Sequence, residues 1–264
     1  MNRFRLVPIF FAALLACEST SPLVARTNEP IFSLILSPDA PVAPQTELRA
    51  LLATTATPIQ LQLRTANEFR LTRASDGALF SWRQVVVDTP YFNGRPSLFS
   101  PFNGNYALAE RAEQNGLGRL DLRPGDTYLL RVVSEGRTIT GSTRIPLRPT
   151  LSIAQRGTDQ VVVWRSQPGV TLYLVQGLSV SISGMTLDTF AVIPSSNPDG
   201  PNRFTVRVSA ADNNYARFML DQSVMQSGID GAYGLLGAVN SAEIEVQMKS
   251  SARSQPPKLA APNR

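Results

Sequence analysis

The sequence contains no histidine, one cysteine and two lysines among its 264 residues. The absence of histidine excludes Ser-His-Asp and Cys-His nucleophile systems, an imidazole general base and His-ligated zinc. A single cysteine excludes an intramolecular disulfide and a metal site built from several thiolates. Both lysines, Lys249 and Lys258, lie near the end of the sequence, so a lysine Schiff base or a Ser-Lys dyad is poorly supported. We therefore expect no catalytic centre of these types, no cofactor and no metal.

The net charge of +5 suggests a nucleic-acid-binding protein, but the charges are unevenly distributed. Arg3 and Arg5 lie at the very start of the chain, and residues 249–264 carry four basic side chains and no acid. Residues 17–248 hold 19 arginines against 20 acids. This part of the chain has no positive excess to neutralise phosphates, so we expect no nucleic-acid partner.

Residues 1–16 have the three parts of an export signal. Arg3 and Arg5 form a positive start, and Leu6–Ala16 is an uncharged apolar stretch of eleven residues that ends in a small residue. Eleven residues are too few to span a bilayer as a stable helix. The flanks are typical of a signal peptide, so we predict one over residues 1–16.

The end of this stretch, Leu14-Leu15-Ala16-Cys17, resembles the lipobox of bacterial lipoproteins, in which the signal is cut before the cysteine. The resemblance implies a thioether-linked diacylglycerol on Cys17, often with an acyl group on its amine. Two or three acyl chains anchor a protein stably where one would be marginal. The alternative is a free cysteine in an ordinary signal peptide or in a short membrane anchor. We predict lipidation at Cys17, and a location at the outer membrane or periplasmic face of a bacterial cell envelope.

The chain from residue 30 to residue 248 has the pattern of an all-β protein. Many segments alternate apolar and polar residues with period two, as half-buried strands do. Turn signals such as Asp76-Gly77 separate them, and that pair is typical of a tight hairpin. Short helices are predicted at 107–114 and 214–226. The alternating segments are 48–52, 139–145, 178–182, 204–208 and 242–248.

The segment Ile145-Pro-Leu-Arg-Pro149 is a natural boundary, because two prolines stop sheet pairing. It predicts two β-sandwich domains, residues 30–147 and 148–248. Residues 17–29 are predicted to form a flexible tether, and 249–264 a disordered basic tail.

Two stretches resemble fibronectin type III and immunoglobulin-like domains. In residues 122–146, Tyr128 and the apolar residues after it resemble a tyrosine corner, whose hydroxyl bonds the backbone a few residues upstream. In residues 161–176, Trp164 would be the core tryptophan and Tyr173 would start the next strand. The resemblance implies two such sandwiches in tandem. The whole layout is similar to bacterial surface lipoproteins without an assigned function, and such folds carry many unrelated functions.

The most unusual segment spans residues 90–107, where aromatic residues alternate with Asn-Gly pairs and one arginine. Aromatic faces beside Asn and Arg donors suit sugar or peptide recognition. The alternative is that the aromatics pin a long loop onto the sandwich. The candidate ligand-binding residues are Tyr91, Phe92, Arg95, Phe99, Phe102 and Tyr106.

Three further patterns favour structural roles. The glycine-rich segment 228–237 lacks phosphate-loop spacing and predicts a bulged turn or tight packing before the last strand. Four residues could supply oxygen ligands to calcium, but they lack the spacing of a calcium-binding loop, so we predict a polar turn instead. These residues are Asp212, Asn213, Asn214 and Asp230. Two acidic pairs are interpreted as solvated faces; they are Glu110 with Glu113 and Glu243 with Glu245.

The sequence thus predicts a lipid-anchored envelope protein with a non-catalytic binding or scaffolding role, whose partner is an envelope protein or a glycan. One alternative is a carbohydrate-active hydrolase that uses two carboxylates. Another is an accessory partner of an outer-membrane transport complex.

Overall fold

The computed structural model describes residues 29–38, 48–57, 60–85, 104–108, 121–157, 159–178, 183–193, 203–221 and 223–247. Within these ranges the chain forms strands and one helix of eight residues, α1 (Asn213–Leu220), so the predicted all-β class is confirmed. The strands are β1 (Pro30–Leu36), β2 (Arg49–Thr57), β3 (Gln60–Leu63), β4 (Glu68–Arg73), β5 (Leu79–Phe80), β6 (Trp82–Gln84), β7 (Tyr106–Leu108), β8 (Thr127–Ser134), β9 (Arg137–Arg144), β10 (Leu151–Arg156), β11 (Asp159–Trp164), β12 (Leu172–Leu178), β13 (Ser183–Thr186), β14 (Phe190–Val192), β15 (Arg203–Ala211), β16 (Gln226–Ser227), β17 (Ile229–Asp230) and β18 (Tyr233–Gln247).

Three sheets enclose two hydrophobic cores. A ten-stranded sheet has the order β13-β12-β15-β18-β1-β2-β7-β6, with β16 on β18 and β3 on β2. A five-stranded sheet, β17-β9-β8-β4-β5, encloses the first core with β1, β2 and β7. A three-stranded sheet, β10-β11-β14, encloses the second core with β12, β15 and the end of β18. The fold is therefore sandwich-like at both ends of the large sheet.

Strand β18 belongs to both sandwiches. Residues 233–238 pair in parallel with β1, and residues 239–247 pair antiparallel with β15. Strand β17 pairs with β9, so the last part of the chain completes the sandwich begun by the first part. The predicted break at 145–149 falls between β9 and β10. The division into 30–147 and 148–248 stays a prediction about folding units, and the strand pairing crosses it.

Helix α1 covers the outer face of the large sheet where the two sandwiches join. Phe218 is fully buried against Ile31 and Leu235 on the side of the first sandwich. Ala216 packs against Leu172 and Ala211 on the side of the second. The helix predicted over 214–226 is confirmed over 214–220 and is wrong beyond Leu220, because the backbone becomes extended at Asp221 and Gln226 pairs with β18 as part of β16. The observed helix contacts both halves of the large sheet.

The helix predicted at 107–114 is wrong where the structure describes it. Ala107 and Leu108 belong to β7, which pairs with both β2 and β6. Cross-strand pairing and complete burial of Ala107 decide the conformation here, because local propensity is weaker than tertiary packing. Residues 109–114 lie outside the described part of the chain.

The local features behind the immunoglobulin-like resemblance are present. The Tyr128 hydroxyl accepts a hydrogen bond from the Arg123 backbone N–H at 2.7 Å, five residues upstream. Trp164 and Tyr173 lie in the second core with ring centroids 5.2 Å apart. Asp76-Gly77 lies in the connection between β4 and β5, where Gly77 has a positive φ of 71°. This connection spans residues 74–78, so it is longer than the tight hairpin turn that the pair predicts.

The Tyr128→Phe substitution should lower the free energy of unfolding by about 1–2 kcal/mol, because it removes one hydrogen bond and keeps the buried ring. Chemical denaturation of both proteins would measure the difference. Tyr215→Phe is the matched control, since no hydrogen bond joins the Tyr215 hydroxyl to a described residue. Equal losses in the two variants would contradict a specific role for the Tyr128 bond.

Candidate ligand-binding cleft

The structure describes one of the residues predicted to bind or carry a ligand. Tyr106 lies in β7 and is 5% exposed. Its hydroxyl accepts the Ala66 N–H at 2.6 Å, and its ring packs 5.1 Å from that of Phe69. Here the tyrosine holds the β3–β4 connection against the sheet. Cys17, Tyr91, Phe92, Arg95, Phe99 and Phe102 lie outside the described residues, and their roles stay predictions.

A cleft of about 460 Å³ lies where the two sandwiches meet; we call it the junction cleft. Its walls come from the β8 and β9 ends of the first sandwich, the connection after β9, the β11–β12 turn and the start of α1. The lining residues are Gly125, Thr127, Ser142, Thr143, Arg144, Ile145, Pro146, Leu147, Gln167, Pro168, Gly169, Val170, Asp212, Asn213 and Asn214.

Asp212 ties together three of the elements around this cleft. One carboxylate oxygen, Oδ1, accepts the Tyr215 N–H at 2.9 Å and the Ala238 N–H at 3.0 Å. The other oxygen, Oδ2, accepts the Thr143 hydroxyl at 2.6 Å. Asp212 is therefore the N-cap of α1, and it also fixes β9 and β18 to the helix. The sequence signal for this role, an aspartate directly before a helical segment, was present but was interpreted as a polar turn.

Burial of Asp212 raises the pKa of its carboxyl above the ordinary value, although hydrogen bonds from Thr143 and the backbone act in the opposite direction. A carboxyl with a raised pKa in a cleft is a candidate proton donor. Three donors already occupy most of its lone-pair positions, so the carboxylate is committed to the fold.

Two buried or bridging amides fix the cleft walls. The Asn214 side chain donates to the Ser142 carbonyl at 2.8 Å and to the Leu236 carbonyl at 3.1 Å. The Asn240 side chain donates to the Pro146 carbonyl at 2.9 Å. These bonds hold the connection after β9 in place, so the cleft is preformed. Within the described ranges no group of three or more carboxylates, cysteines or histidines is placed to hold a metal ion.

The glycine-rich segment packs tightly beside the cleft, as predicted. Gly228 has a φ of +71°, and a Cβ there would lie 2.2 Å from the Leu236 carbonyl oxygen. Only glycine permits this approach to β18. The Gly228 carbonyl then accepts the Ser142 N–H of β9 at 3.0 Å.

A second cleft, of about 330 Å³, lies beside β2 and the β8–β9 turn. Its Arg64 forms an ion pair with Glu135 at 3.0 Å and donates to the Thr54 hydroxyl at 2.9 Å. The cation is thus neutralised within the fold. The junction cleft is the better candidate because it is larger and its arginine lacks such a partner among the described carboxylates.

A cluster of charges surrounds Arg73, the last residue of β4. The Arg73 guanidinium is 2% exposed and donates to both carboxylate oxygens of Asp76 and to the Asp121 backbone and side chain. The hydrogen bond from Arg73 holds the pKa of Asp76 well below its usual range. The three aspartates here, Asp76, Asp121 and Asp126, converge on an arginine, so we assign the cluster to stability.

No helix among the described residues is long and apolar enough to cross a membrane. Comparisons with models of known protein families and with curated proteins find no match for this chain.

Proposed function

We propose that this protein is a lipid-anchored component of a bacterial cell envelope with a non-catalytic binding role, and that the junction cleft is its binding site. The observation that carries the binding role is the preformed cleft at the seam of two sandwiches. Its volume of about 460 Å³ lies within the range of ordinary ligand sites. The signal and lipobox at residues 1–17 support the location.

The geometry favours binding over two-carboxylate hydrolysis. Glycosidases place two carboxyl groups about 5–10 Å apart in one cleft. Asp212 is the single carboxylate among the residues that line the junction cleft. Glu243 and Glu245 instead form exposed cross-strand ion pairs, with Arg207 and Arg203 respectively. These observations make the hydrolase the weaker candidate, and nothing in the described structure favours a transport-complex partner over other envelope partners.

We further propose that the two sandwiches are of the immunoglobulin or fibronectin type III kind. The Tyr128 hydrogen bond to the backbone and the buried Trp164 support this assignment. The parallel pairing of β1 with β18 joins the two sandwiches through one strand, so ligand contacts from both would share a fixed frame.

The anchor is tested by membrane fractionation of the Cys17→Ser variant in a bacterial host. Wild type should remain in the membrane fraction after a high-salt wash, and the variant should move to the soluble fraction because it has no thiol to carry lipid. Glu18→Gln, which leaves the lipobox intact, is the control and should behave as wild type. Retention of Cys17→Ser in the washed membranes would refute lipid anchoring.

A further inference from the structure

One wall of the junction cleft presents apolar surface to solvent. Leu147 is 54% exposed although it is a large apolar side chain, and it lines the cleft with Pro168 and Val170. The Leu147 side chain lies against Gly125, where an added Cβ would meet its Cδ2 at 3.4 Å. Exposed apolar surface in a preformed concave site is characteristic of ligand contact.

A cation is fixed beside this apolar wall. The Arg144 side chain donates from Nε to the Gly125 carbonyl at 2.9 Å, so Arg144 and Leu147 both contact Gly125. That bond orients the guanidinium, and its two terminal nitrogens have no hydrogen-bond partner among the described residues. No described carboxylate lies within ion-pairing distance of Arg144. A guanidinium held in this way is suited to a forked contact with a carboxylate, sulfonate or phosphate group.

The charges near the cleft favour an anion. Asp212 is 6% exposed and its oxygens already accept three hydrogen bonds. Asp126, beside two lining residues in sequence, accepts the Ser75 hydroxyl at 2.9 Å and lies 3.8 Å from Arg73. Arg148 and Arg165 are exposed and adjoin the lining segments in sequence. Among the described residues, Asp126 and Asp212 are thus committed to other contacts, whereas Arg144, the arginine that lines the cleft, has no carboxylate partner.

From these contacts we infer that the junction cleft binds a small organic anion with an apolar body. Arg144 holds the anionic group, and Leu147 and Val170 contact the apolar body. This inference rests on the proposed binding function and specifies the ligand class of the same site.

The probe for this test is 8-anilinonaphthalene-1-sulfonate, an anion with an apolar aromatic body and an N–H donor. Its fluorescence is titrated with residues 17–264 carrying Cys17→Ser, which lack both the lipid and the apolar stretch Leu6–Ala16 as competing apolar surfaces. We expect saturable binding of one probe per chain. Arg144→Gln and Leu147→Ser should each weaken binding about tenfold, a loss of about 1.4 kcal/mol.

Two controls make the result specific. Arg70→Gln removes an exposed arginine from the outer face of the five-stranded sheet and should leave the affinity unchanged. The uncharged analogue N-phenyl-1-naphthylamine should bind more weakly, and its affinity should not respond to Arg144→Gln. Unfolding curves that match wild type would show that the cleft variants remain folded.

The inference is overturned if the sulfonate probe shows no saturable binding, if both cleft variants bind as wild type, or if Arg70→Gln weakens binding as much as Arg144→Gln. If one of these results came together with membrane retention of the wild-type chain in the fractionation test, the proposed ligand class would be wrong and the anchored location would stand. If the wild-type chain were not retained in the membrane fraction but the probe bound as expected, the ligand class would stand and the lipid anchor would be wrong.

Discussion

Replacement of Arg73 by leucine is expected to lower the free energy of unfolding by about 3 kcal/mol, one of the two largest effects that the structure predicts. The guanidinium is almost fully buried and makes four hydrogen bonds to Asp76 and Asp121, of 2.6–3.0 Å. Leucine fills part of the volume but leaves the Asp121 carbonyl without this donor, and the Asp76 carboxylate keeps only the Ala78 N–H and Arg123 as donors among the described residues. This value is at the lower end of the usual cost of breaking a buried ion pair, because all three surrounding aspartates are partly exposed to solvent.

The Arg73 cluster also predicts how stability depends on pH. Hydrogen bonds from Arg73 lower the pKa of Asp76, and those from Arg123 and Arg73 outweigh burial to lower the pKa of Asp121. Carboxyls with a depressed folded-state pKa stabilise the fold above their unfolded-state pKa of 3.8, and this stabilisation is lost as the pH falls through the folded-state value. Arg73→Leu should therefore lose less stability than wild type on acidification.

Urea denaturation at neutral and at acid pH measures both effects. The matched control is Arg131→Leu, which removes an exposed ion pair with Glu68 and should cost at most about 1 kcal/mol. If Arg73→Leu were no more destabilising than Arg131→Leu, the burial of the guanidinium would have no energetic role.

The Asp212→Ala substitution should cost about 3–5 kcal/mol, since it removes a helix cap and leaves buried donors unpaired. The donors are the backbone N–H groups of Tyr215 and Ala238 and the Thr143 hydroxyl. The loss should loosen α1 and the seam beneath it. Thermal unfolding and hydrogen exchange at 213–220 would detect this, and protection equal to wild type in that segment would contradict the role of Asp212.

Asp212→Asn separates the charge of this residue from its shape. Burial raises the pKa of the Asp212 carboxyl in the folded chain, so the folded protein holds this proton more tightly than the unfolded chain. The contribution of the carboxyl to stability is greatest below the unfolded-state pKa of 3.8 and declines as the pH rises through the raised folded-state value. The difference in unfolding free energy between wild type and Asp212→Asn should therefore shift in favour of the variant as the pH rises across that window. A pH-independent difference would contradict the raised pKa.

The all-β class could be predicted from the sequence because strand alternation and turns depend on residues that are close together in the chain. The alternation at 204–208 and 242–246 corresponds to β15 and the end of β18, each with one face on the second core. The Tyr128 bond spans five residues, and the connection that contains Asp76-Gly77 is also five residues long. Such features depend on neighbouring residues, and the chain's pattern therefore contained them.

The start of β18 carried no such signal, and this is why the shared strand was not predicted. Leu235 and Leu236 are both fully buried, one against α1 and the other in the first core. A strand buried on both faces loses its period-two alternation. Its parallel pairing with β1 also joins residues about 200 positions apart in the sequence, which no local pattern encodes.

The junction cleft was missed for the same physical reason. Its walls are fixed by contacts between Thr143 and Asp212 and between Pro146 and Asn240, separated by 69 and 94 residues. The local sequence pattern at Asp212 and Asn214 predicts a polar turn and does not favour a calcium site. The hydrogen-bond partners of Asp212 and Asn214 include Thr143 and Leu236, which are distant in the sequence and are brought close only by the pairing of the strands.

The most direct test of the central claim is mass spectrometry of the N-terminal tryptic peptide of the membrane-extracted protein. Cleavage before Cys17 and lipidation predict that this peptide spans residues 17–26, because Arg26 is the first tryptic site after the cysteine, and that it carries the added mass of a diacylglycerol. A peptide spanning residues 6–26 with a free Cys17 thiol would show an uncut, unmodified chain and would contradict the account.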